Sequence, residues 1–95
     1  MEIRQTERFT AWMRGLRDRQ AKARINARVR RLSLGNAGDV KLIGGGVWEL
    51  RIDYGPGYRV YYLRRHEAVT ILLAGGDKRS QDDDIRAAIT YAREF

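Results

Sequence analysis

The chain has 95 residues, of which 43% are hydrophobic and 33% are charged. These fractions exclude a disordered protein, and we expect a single folded domain over residues 1–95 with one modest core. The absence of cysteine excludes disulfides and thiolate metal sites. No apolar run approaches the roughly 20 residues needed to cross a bilayer. The N-terminus also lacks the apolar core of a signal peptide, so we expect a cytoplasmic location.

The net charge of +7 is concentrated in the first third of the chain. Residues 1–31 contain ten basic and three acidic residues, whereas residues 32–95 contain nine of each. Sixteen of the 19 basic residues are arginines, whose planar guanidinium groups match phosphate and carboxylate. A GC-rich genome could explain the number of arginines but not their clustering. The clustering predicts a surface that attracts polyanions.

In chain order, residues 1–5 can form a short first strand, and two helices follow it. Thr6 is suited to cap the first helix, and Asp18 the second. Apolar side chains repeat at helical spacing in the first helix at Phe9, Trp12, Met13 and Leu16. In the second helix they repeat at Ala21, Ile25, Val29 and Leu32. Because they are adjacent in sequence, the two helices should pair as a helical hairpin.

Four segments with the pattern of β-strands follow, at residues 40–43, 47–54, 58–65 and 68–73. His66 falls in the turn between the last two strands. A final helix begins near Ser80 and Asp83, which resemble a capping box. Its apolar stripe is Ile85, Ala88, Ile89 and Ala92. This order predicts an α+β fold, in which an N-terminal helical hairpin packs on a small antiparallel sheet with a C-terminal helix.

The two longest predicted strands are joined by a Gly-Pro-Gly turn. A three-residue loop would pair Asp53 with Arg59 and Arg51 with Tyr61, whereas a two-residue loop would push Arg59 onto the apolar face. In the favoured register one face carries Glu49, Arg51, Asp53, Arg59 and Tyr61. Arg51 is then diagonal to Arg59, and the two guanidinium groups can grip a phosphate. The alternative is a solvated face with an Asp53–Arg59 ion pair.

The segments GVWELRIDYGPGYRVYY (residues 46–62) and LLAGGDKRSQDDDIRAAI (residues 72–89) closely resemble the RelE/ParE toxin superfamily, specifically its HigB-like "addiction module killer protein" branch. The likeness extends upstream through FTAWMRGLRD and ARINARVRRLSLGNAGDVKLIGGG, so it covers nearly the whole chain. It implies the toxin of a type II toxin–antitoxin system, which inhibits translation by cutting ribosome-bound mRNA without a metal or other cofactor. The 2′-hydroxyl of the substrate would attack the phosphate, which the protein must orient and stabilise.

By this resemblance Arg51, Arg59 and Lys78 are the catalytic residues, and the two arginines clamp the phosphate. Because arginine cannot act as a base, proton transfer would fall to Lys78 or to a carboxylate. The carboxylate candidates are Glu49, Asp53 and Asp77. Tyr91 is either the C-terminal tyrosine of the family or a packing residue. The residues expected to contact RNA are Tyr61, Arg79, Lys22, Arg24, Arg28 and Arg31, of which Arg79 could also be merely solvated.

The resemblance also implies partners, namely a cognate antitoxin with a helix-turn-helix DNA-binding domain, the ribosome and mRNA, but no membrane. Other functions stay open. A ParE-type inhibitor of DNA gyrase would share the fold and have no chemistry of its own, and a non-catalytic nucleic-acid-binding module would use the positive charge alone. The copy could also be an inactive toxin. The arginine pair and Lys78 favour the nuclease, because a gyrase inhibitor would not need them.

Overall fold

The computed structural model describes all residues from 1 to 95 and contains one five-stranded sheet. The elements are β1 (Glu2–Gln5), α1 (Glu7–Gly15), α2 (Arg19–Ser33), β2 (Val40–Gly44), β3 (Val47–Ile52), β4 (Tyr58–Arg65), β5 (Val69–Asp77), a short 3-10 helix (Lys78–Ser80) and α3 (Gln81–Ala92). The strands lie in the order β1-β5-β4-β3-β2. β1 runs parallel to β5, and all other neighbours are antiparallel.

The predicted fold class is wrong in two respects. The short first strand predicted at residues 1–5 is present as β1, but it pairs parallel with β5, so the sheet is mixed and not antiparallel, and the fold begins with a strand of that sheet and not with a helical hairpin. The helices also do not form an N-terminal hairpin that packs as a unit, because α1 packs mainly on β5 and α2 on β3. The physical reason is that each helix buries its own apolar stripe on the sheet, while the free edge of β5 binds the backbone of β1.

The predicted helix caps are confirmed for α1 and α2 but not for α3. The Thr6 hydroxyl accepts a hydrogen bond from the backbone N–H of Phe9 at 3.1 Å. The Asp18 carboxylate accepts two backbone N–H groups of the first turn of α2, at 2.9 and 3.2 Å. Ser80 makes no capping hydrogen bond, because its hydroxyl donates instead to the Asp84 carboxylate at 2.6 Å.

An apolar cluster lies on each face of the sheet. On one face α1 and α2 cover the larger cluster, which contains Phe9, Ile25, Leu32, Leu50, Ile52, Val60, Tyr62 and Leu72. On the other face Ala88 and Ala92 of α3 pack on five residues of the sheet, Val47, Tyr61, Leu63, Ile71 and Leu73. α3 leaves this face open at the end of the sheet where β3 turns into β4. None of the three helices is long and apolar enough to cross a membrane.

β3 and β4 pair in a register two residues away from the predicted one. Arg51 lies directly opposite Arg59, and Glu49 lies opposite Tyr61. The prediction that Asp53 pairs with Arg59 is therefore wrong. Because the shift is an even number of residues, each side chain still points to the face that the alternation predicted.

The register differs because β3 ends at Ile52 and a five-residue loop, residues 53–57, replaces the expected three-residue turn. Tyr54 leaves the strand, and its hydroxyl donates to the Asp18 carboxylate at the start of α2, at 3.0 Å. The backbone N–H of Gly57 then bonds the carbonyl of Tyr54 at 3.1 Å and closes a turn. The strand therefore ends before Tyr54, whose side chain contacts the start of α2.

Candidate functional site

A polar cleft of about 380 Å³ opens on the part of the sheet that α3 leaves uncovered. Charged side chains and the backbone of the Gly-Pro-Gly turn line it. Its residues, which we call the arginine cleft, are Asp39, Arg51, Asp53, Gly55, Pro56, Gly57, Arg59 and Lys78. The cleft therefore brings together all three predicted catalytic residues.

Two arginines face each other across the floor of the arginine cleft. Arg51 and Arg59 are directly opposite on adjacent strands, an arrangement in which like charges repel. Arg51 donates from Nε and Nη2 to Oδ1 of Asp39, at 3.2 and 2.9 Å. Arg59 Nε lies 3.9 Å from Oε1 of Glu49. Each guanidinium thus has a carboxylate beside it, which offsets the repulsion and holds the pair together.

The Arg59 side chain is only 13% exposed and is held by the turn beside it. Its Nη1 donates to the backbone carbonyls of Gly57 and Tyr58, at 3.2 and 3.3 Å. Its Nε is buried and makes no hydrogen bond. A buried donor without an acceptor is costly, and the charge of the Glu49 carboxylate, 3.9 Å from this Nε, offsets part of that cost.

Glu49 lies beneath α3 and does not line the cleft. Its side chain is 1% exposed, and Oε2 accepts hydrogen bonds from the Tyr61 hydroxyl at 3.1 Å and from Gln81 Nε2 at 2.9 Å. Burial, together with the charge of Glu49, raises the pKa of the Tyr61 hydroxyl, which therefore stays protonated and keeps donating. Glu49 consequently acts as a fixed partner of Arg59 and has no route to a substrate hydroxyl.

Lys78 and Asp53 lie at the rim of the arginine cleft. Both side chains are exposed, and neither makes a side-chain hydrogen bond or ion pair. A Cβ added at Gly57, whose φ is +81°, would lie 3.4 Å from Cβ of Lys78 and 3.5 Å from Nη1 of Arg59. These are ordinary contact distances, so the positive φ and not the space favours glycine here, and the turn lies beside both Lys78 and Arg59.

Asp77 and Arg79 pair with each other outside the cleft lining. Arg79 Nη2 donates to Asp77 Oδ2 at 2.8 Å, and the same carboxylate accepts the backbone N–H of Arg79 at 2.9 Å. The hydrogen bonds from Arg79 lower the pKa of Asp77. Asp77 therefore caps the 3-10 helix and is poorly placed to accept a proton from a ligand in the cleft.

Two tyrosines named from the sequence also lie away from the cleft. Tyr61 has no exposed surface, so the expected contact of its ring with RNA is wrong, because α3 covers the ring. The Tyr91 ring is covered by the guanidinium of Arg8, whose central carbon lies 3.8 Å from the ring centroid. Tyr91 thus packs against α1, which agrees with the second alternative given for it from the sequence, that of a packing residue.

Arg28 of α2 has a structural role in this fold. Its Nη1 donates to the carbonyl of Arg51 at 2.6 Å, and its Nη2 donates to the carbonyls of Ala37 and Asp39, at 3.0 and 3.3 Å. Its burial lowers its pKa. Its donors hold the loop before β2 against β3. Arg28 also lines a surface depression with Arg24 and Arg31, so its contact with RNA stays a prediction.

The other basic residues of α2 remain on the surface. The central carbon of the Arg24 guanidinium lies 4.5 Å from the centroid of the Tyr54 ring. Arg24 and Arg31 line a shallow depression that shares Asp53 with the arginine cleft. Lys22 is half-buried and makes no ion pair. Positive charge thus extends from the cleft along α2.

Asp39 is the cleft residue that the sequence analysis missed. It precedes β2 in a loop, where neither the helical nor the strand period assigns a side chain to a face. Its position follows from the tertiary hydrogen bond between the backbone N–H of Arg51 and the carbonyl of Asp39, at 3.0 Å. No cluster of three or more His, Cys, Asp or Glu side chains is placed to hold a metal ion.

Comparison with known proteins assigns the family. A sequence model of the family described as phage-derived protein Gp49-like matches residues 11–94, which include every residue of the arginine cleft. A protein of Haemophilus influenzae, described as uncharacterized, is 48% identical over 95 residues, which span 100% of this chain and 96% of that protein. The chain therefore belongs to the phage-derived Gp49-like family, a family of RelE-like toxins.

Proposed function

We propose that this protein is the toxin of a type II toxin–antitoxin system and that it cuts mRNA on translating ribosomes, with the scissile phosphate held in the arginine cleft. The observation that carries the proposal is the facing pair Arg51 and Arg59 in one polar cleft with Lys78. Asp39 and Glu49 hold the two guanidinium groups beside the same cleft, where one phosphate can accept hydrogen bonds from both. Membership of a RelE-like toxin family and the HigB-like segments at residues 46–62 and 72–89 support the same reading.

The chemistry needs charge and orientation more than a protein nucleophile. The 2′-hydroxyl oxygen of the RNA forms a bond to phosphorus, and the bond from phosphorus to the 5′-oxygen breaks. The products are a 2′,3′-cyclic phosphate and a 5′-hydroxyl. Arg59, which is held by its turn, and Arg51, which is held by Asp39, supply preorganised donors for the charge that develops on the phosphoryl oxygens.

Proton transfer belongs to the exposed groups of the cleft. Asp53 is the exposed carboxylate of the cleft that has no hydrogen-bond partner. We therefore propose that it is the general base, which accepts the proton of the attacking 2′-hydroxyl. Lys78 carries a proton that it can deliver to the departing 5′-oxygen. Glu49 is buried and Asp77 is paired with Arg79, so neither fits this role.

The proposed partners are a cognate antitoxin with a helix-turn-helix DNA-binding domain, which neutralises the toxin, and the ribosome with its mRNA. The basic surface of α2 that carries Arg24 and Arg31 would steer the protein towards RNA by a long-range attraction that weakens as salt is added. Action on translating ribosomes would take place in the cytoplasm.

The test is primer extension on one mRNA, with and without translating ribosomes. Wild-type protein should cut only the translated message. Arg59→Ala should lower the cleavage rate by about 10²–10³-fold, because a donor aimed at the transition state is lost. Arg64→Ala is the matched control, since Arg64 lies on the same strand, is exposed and is outside the cleft, and it should cut normally.

Two results would contradict the proposal. If wild-type protein leaves the message intact and inhibits DNA supercoiling by gyrase, the ParE-type function applies instead. If Arg59→Ala cuts as fast as wild type, the arginine cleft is not the site.

A further inference from the structure

Asp39 places a carboxylate inside the arginine cleft, in contact with one of its two arginines. Its Oδ1 accepts hydrogen bonds from both Nε and Nη2 of Arg51, at 3.2 and 2.9 Å. This side-on pairing leaves Nη1 of Arg51 without that acceptor. The Asp39 side chain is 58% exposed, so a ligand in the cleft approaches a charged carboxylate that is already bound to Arg51.

The backbone around Asp39 is fixed, so the contact is part of the fold. Arg28 donates to the carbonyls of Ala37 and Asp39 in the loop and to the carbonyl of Arg51 in β3. The backbone N–H of Arg51 donates in turn to the carbonyl of Asp39 at 3.0 Å. Because the loop and the strand are joined at these points, the Asp39 carboxylate stays at the Arg51 guanidinium.

The charges in and beside the cleft nearly cancel. Arg51, Arg59 and Lys78 are positive, whereas Asp39 and Asp53 are negative. Glu49, beneath the cleft and 3.9 Å from Arg59, adds a third negative charge. Such a site gains little from a second negative charge on its ligand. A phosphodiester within a nucleic acid carries one negative charge, whereas a terminal phosphate carries nearly two above its second pKa of about 6.

We propose that Asp39 is a specificity-determining residue, whose charge cancels the advantage that the second negative charge of a terminal phosphate would otherwise have in the arginine cleft, so that internal phosphodiesters bind about as well as terminal phosphates. The inference rests on the proposed function, in which this cleft holds the scissile phosphate. The Asp39 carboxylate repels each charge of the ligand, so a dianion loses twice as much binding free energy as a monoanion. At about 5 Å in a water-exposed cleft, one unit charge changes affinity roughly fourfold for each ligand charge. Free nucleotides with terminal phosphates would therefore gain no affinity from their second charge when they compete with an RNA chain.

The experiment compares two small ligands that cannot be cleaved because they lack a 2′-hydroxyl. Thymidine 3′-monophosphate is a dianion at pH 8, and its methyl ester is a monoanion. The dissociation constant of each is measured by NMR from the amide of Gly57, which lies beside Lys78 and Arg59. Low ionic strength is used, because salt screens exposed charges.

Two variants isolate the charge of Asp39. Asp39→Asn keeps an oxygen that can accept the hydrogen bonds of Arg51 and removes only the charge. Glu67→Gln removes the same charge from an exposed turn at the far end of β4. Thermal unfolding of each variant checks that the fold is retained.

Wild type and Glu67→Gln should bind the two ligands with affinities that agree within about twofold, whereas Asp39→Asn should prefer the monophosphate by roughly fourfold. At pH 5 the monophosphate carries close to one charge, and that preference should disappear. If Asp39→Asn changes both affinities equally, or neither, Asp39 does not select and the inference is overturned, although the cleft still binds phosphate. If neither ligand shifts Gly57 in any variant, the proposed phosphate site itself fails, and the inference fails with it.

Discussion

One face of the β3–β4 pair is divided into two halves with opposite properties. Under α3, Glu49 and Tyr61 are 1% and 0% exposed, and they hydrogen-bond to each other. Two residues further along the same strands, Arg51 and Arg59 lie beyond α3 and line an open cleft. Strand alternation places all four side chains on the same face. The two halves differ because α3 covers one half and leaves the other uncovered. A polar group beneath the helix must find its partner inside the protein, whereas one beyond it can bind a ligand.

The largest effect is expected at Leu50, which adjoins Arg51 but points to the face covered by α1 and α2. Leu50 is fully buried in the larger apolar cluster, so Leu50→Ala should lower the free energy of unfolding by about 2–5 kcal/mol. Arg51→Ala should change it by less than about 1 kcal/mol, because the Arg51 ion pair is exposed to solvent. Urea denaturation followed by circular dichroism measures both values. Equal losses would show that the cleft is part of the core.

Substitutions at two neighbouring glycines of β5 test how rigidly the helices pack on the two faces of the sheet. A Cβ at Gly75 would lie 2.1 Å from Cε3 of Trp12, and a Cβ at Gly76 would lie 1.9 Å from a carboxylate oxygen of Asp84. The Trp12 indole is packed between the rings of Phe9 and Tyr58 and cannot move aside easily. The Asp84 carboxylate is the end of a side chain that can rotate away. Gly75→Ala should therefore cost about 1–3 kcal/mol, and Gly76→Ala less. Calorimetry of both variants tests the order, and a larger loss at Gly76 would identify α3 as the more rigid cover.

A smaller loss is expected when the covered half loses one hydrogen bond. Tyr61→Phe removes the hydroxyl that donates to the buried Glu49 carboxylate at 3.1 Å. The change should cost about 1–2 kcal/mol in free energy of unfolding at pH 7, since the acceptor is charged and buried. Urea denaturation at pH 7 gives this difference. A neutral result would mean that water reaches Glu49 and that the cover is incomplete.

The same variant should also change stability at alkaline pH. Burial and the charge of Glu49 raise the pKa of Tyr61 above its ordinary value of about 10. The unfolded chain then releases a proton that the folded protein retains, so the stabilisation is complete below about pH 10 and is lost as pH rises above it. Between pH 9 and 11, wild type should lose about 1.4 kcal/mol more than Tyr61→Phe. Parallel stability curves over this range would contradict the prediction.

The smallest effect on stability is expected in the open half. Asp53 is exposed and has no side-chain partner, so Asp53→Asn should change the free energy of unfolding by less than about 0.5 kcal/mol. If Asp53 is the general base, as proposed, the same variant should cut mRNA about 10²–10⁴-fold more slowly. Urea denaturation and primer extension separate the two effects. A destabilisation above about 1 kcal/mol would show that Asp53 has a partner inside the protein.

Features set by neighbouring residues could be predicted from the sequence. The caps at Thr6 and Asp18 depend on backbone groups two or three residues away, and both are confirmed. The shared face of Arg51 and Arg59 follows from strand alternation, which survives a register shift of two residues.

Features set by distant contacts could not be predicted in this way. The register of β3 and β4 goes with a five-residue loop in which Tyr54 hydrogen-bonds to Asp18, 36 positions away. The burial of Tyr61 depends on how far α3 extends over the sheet, and the place of Asp39 on the bonds that Arg28 makes to its loop. The fold class was wrong for the same reason, since the pairing of β1 with β5 leaves no local pattern.

The parallel pairing of β1 with β5 has a consequence for synthesis. Glu2 pairs with Val69 and Gln5 with Leu72, so the first strand cannot enter the sheet until residues 69–72 have been translated. At a translation rate of about 5–20 residues per second, β5, on which α1 packs, is made roughly 3–10 seconds after α1. The arginine cleft is likewise incomplete until Lys78 has been made. On the proposed function, the ribosome that makes the toxin is therefore spared its activity until Lys78 has been added and the cleft has formed.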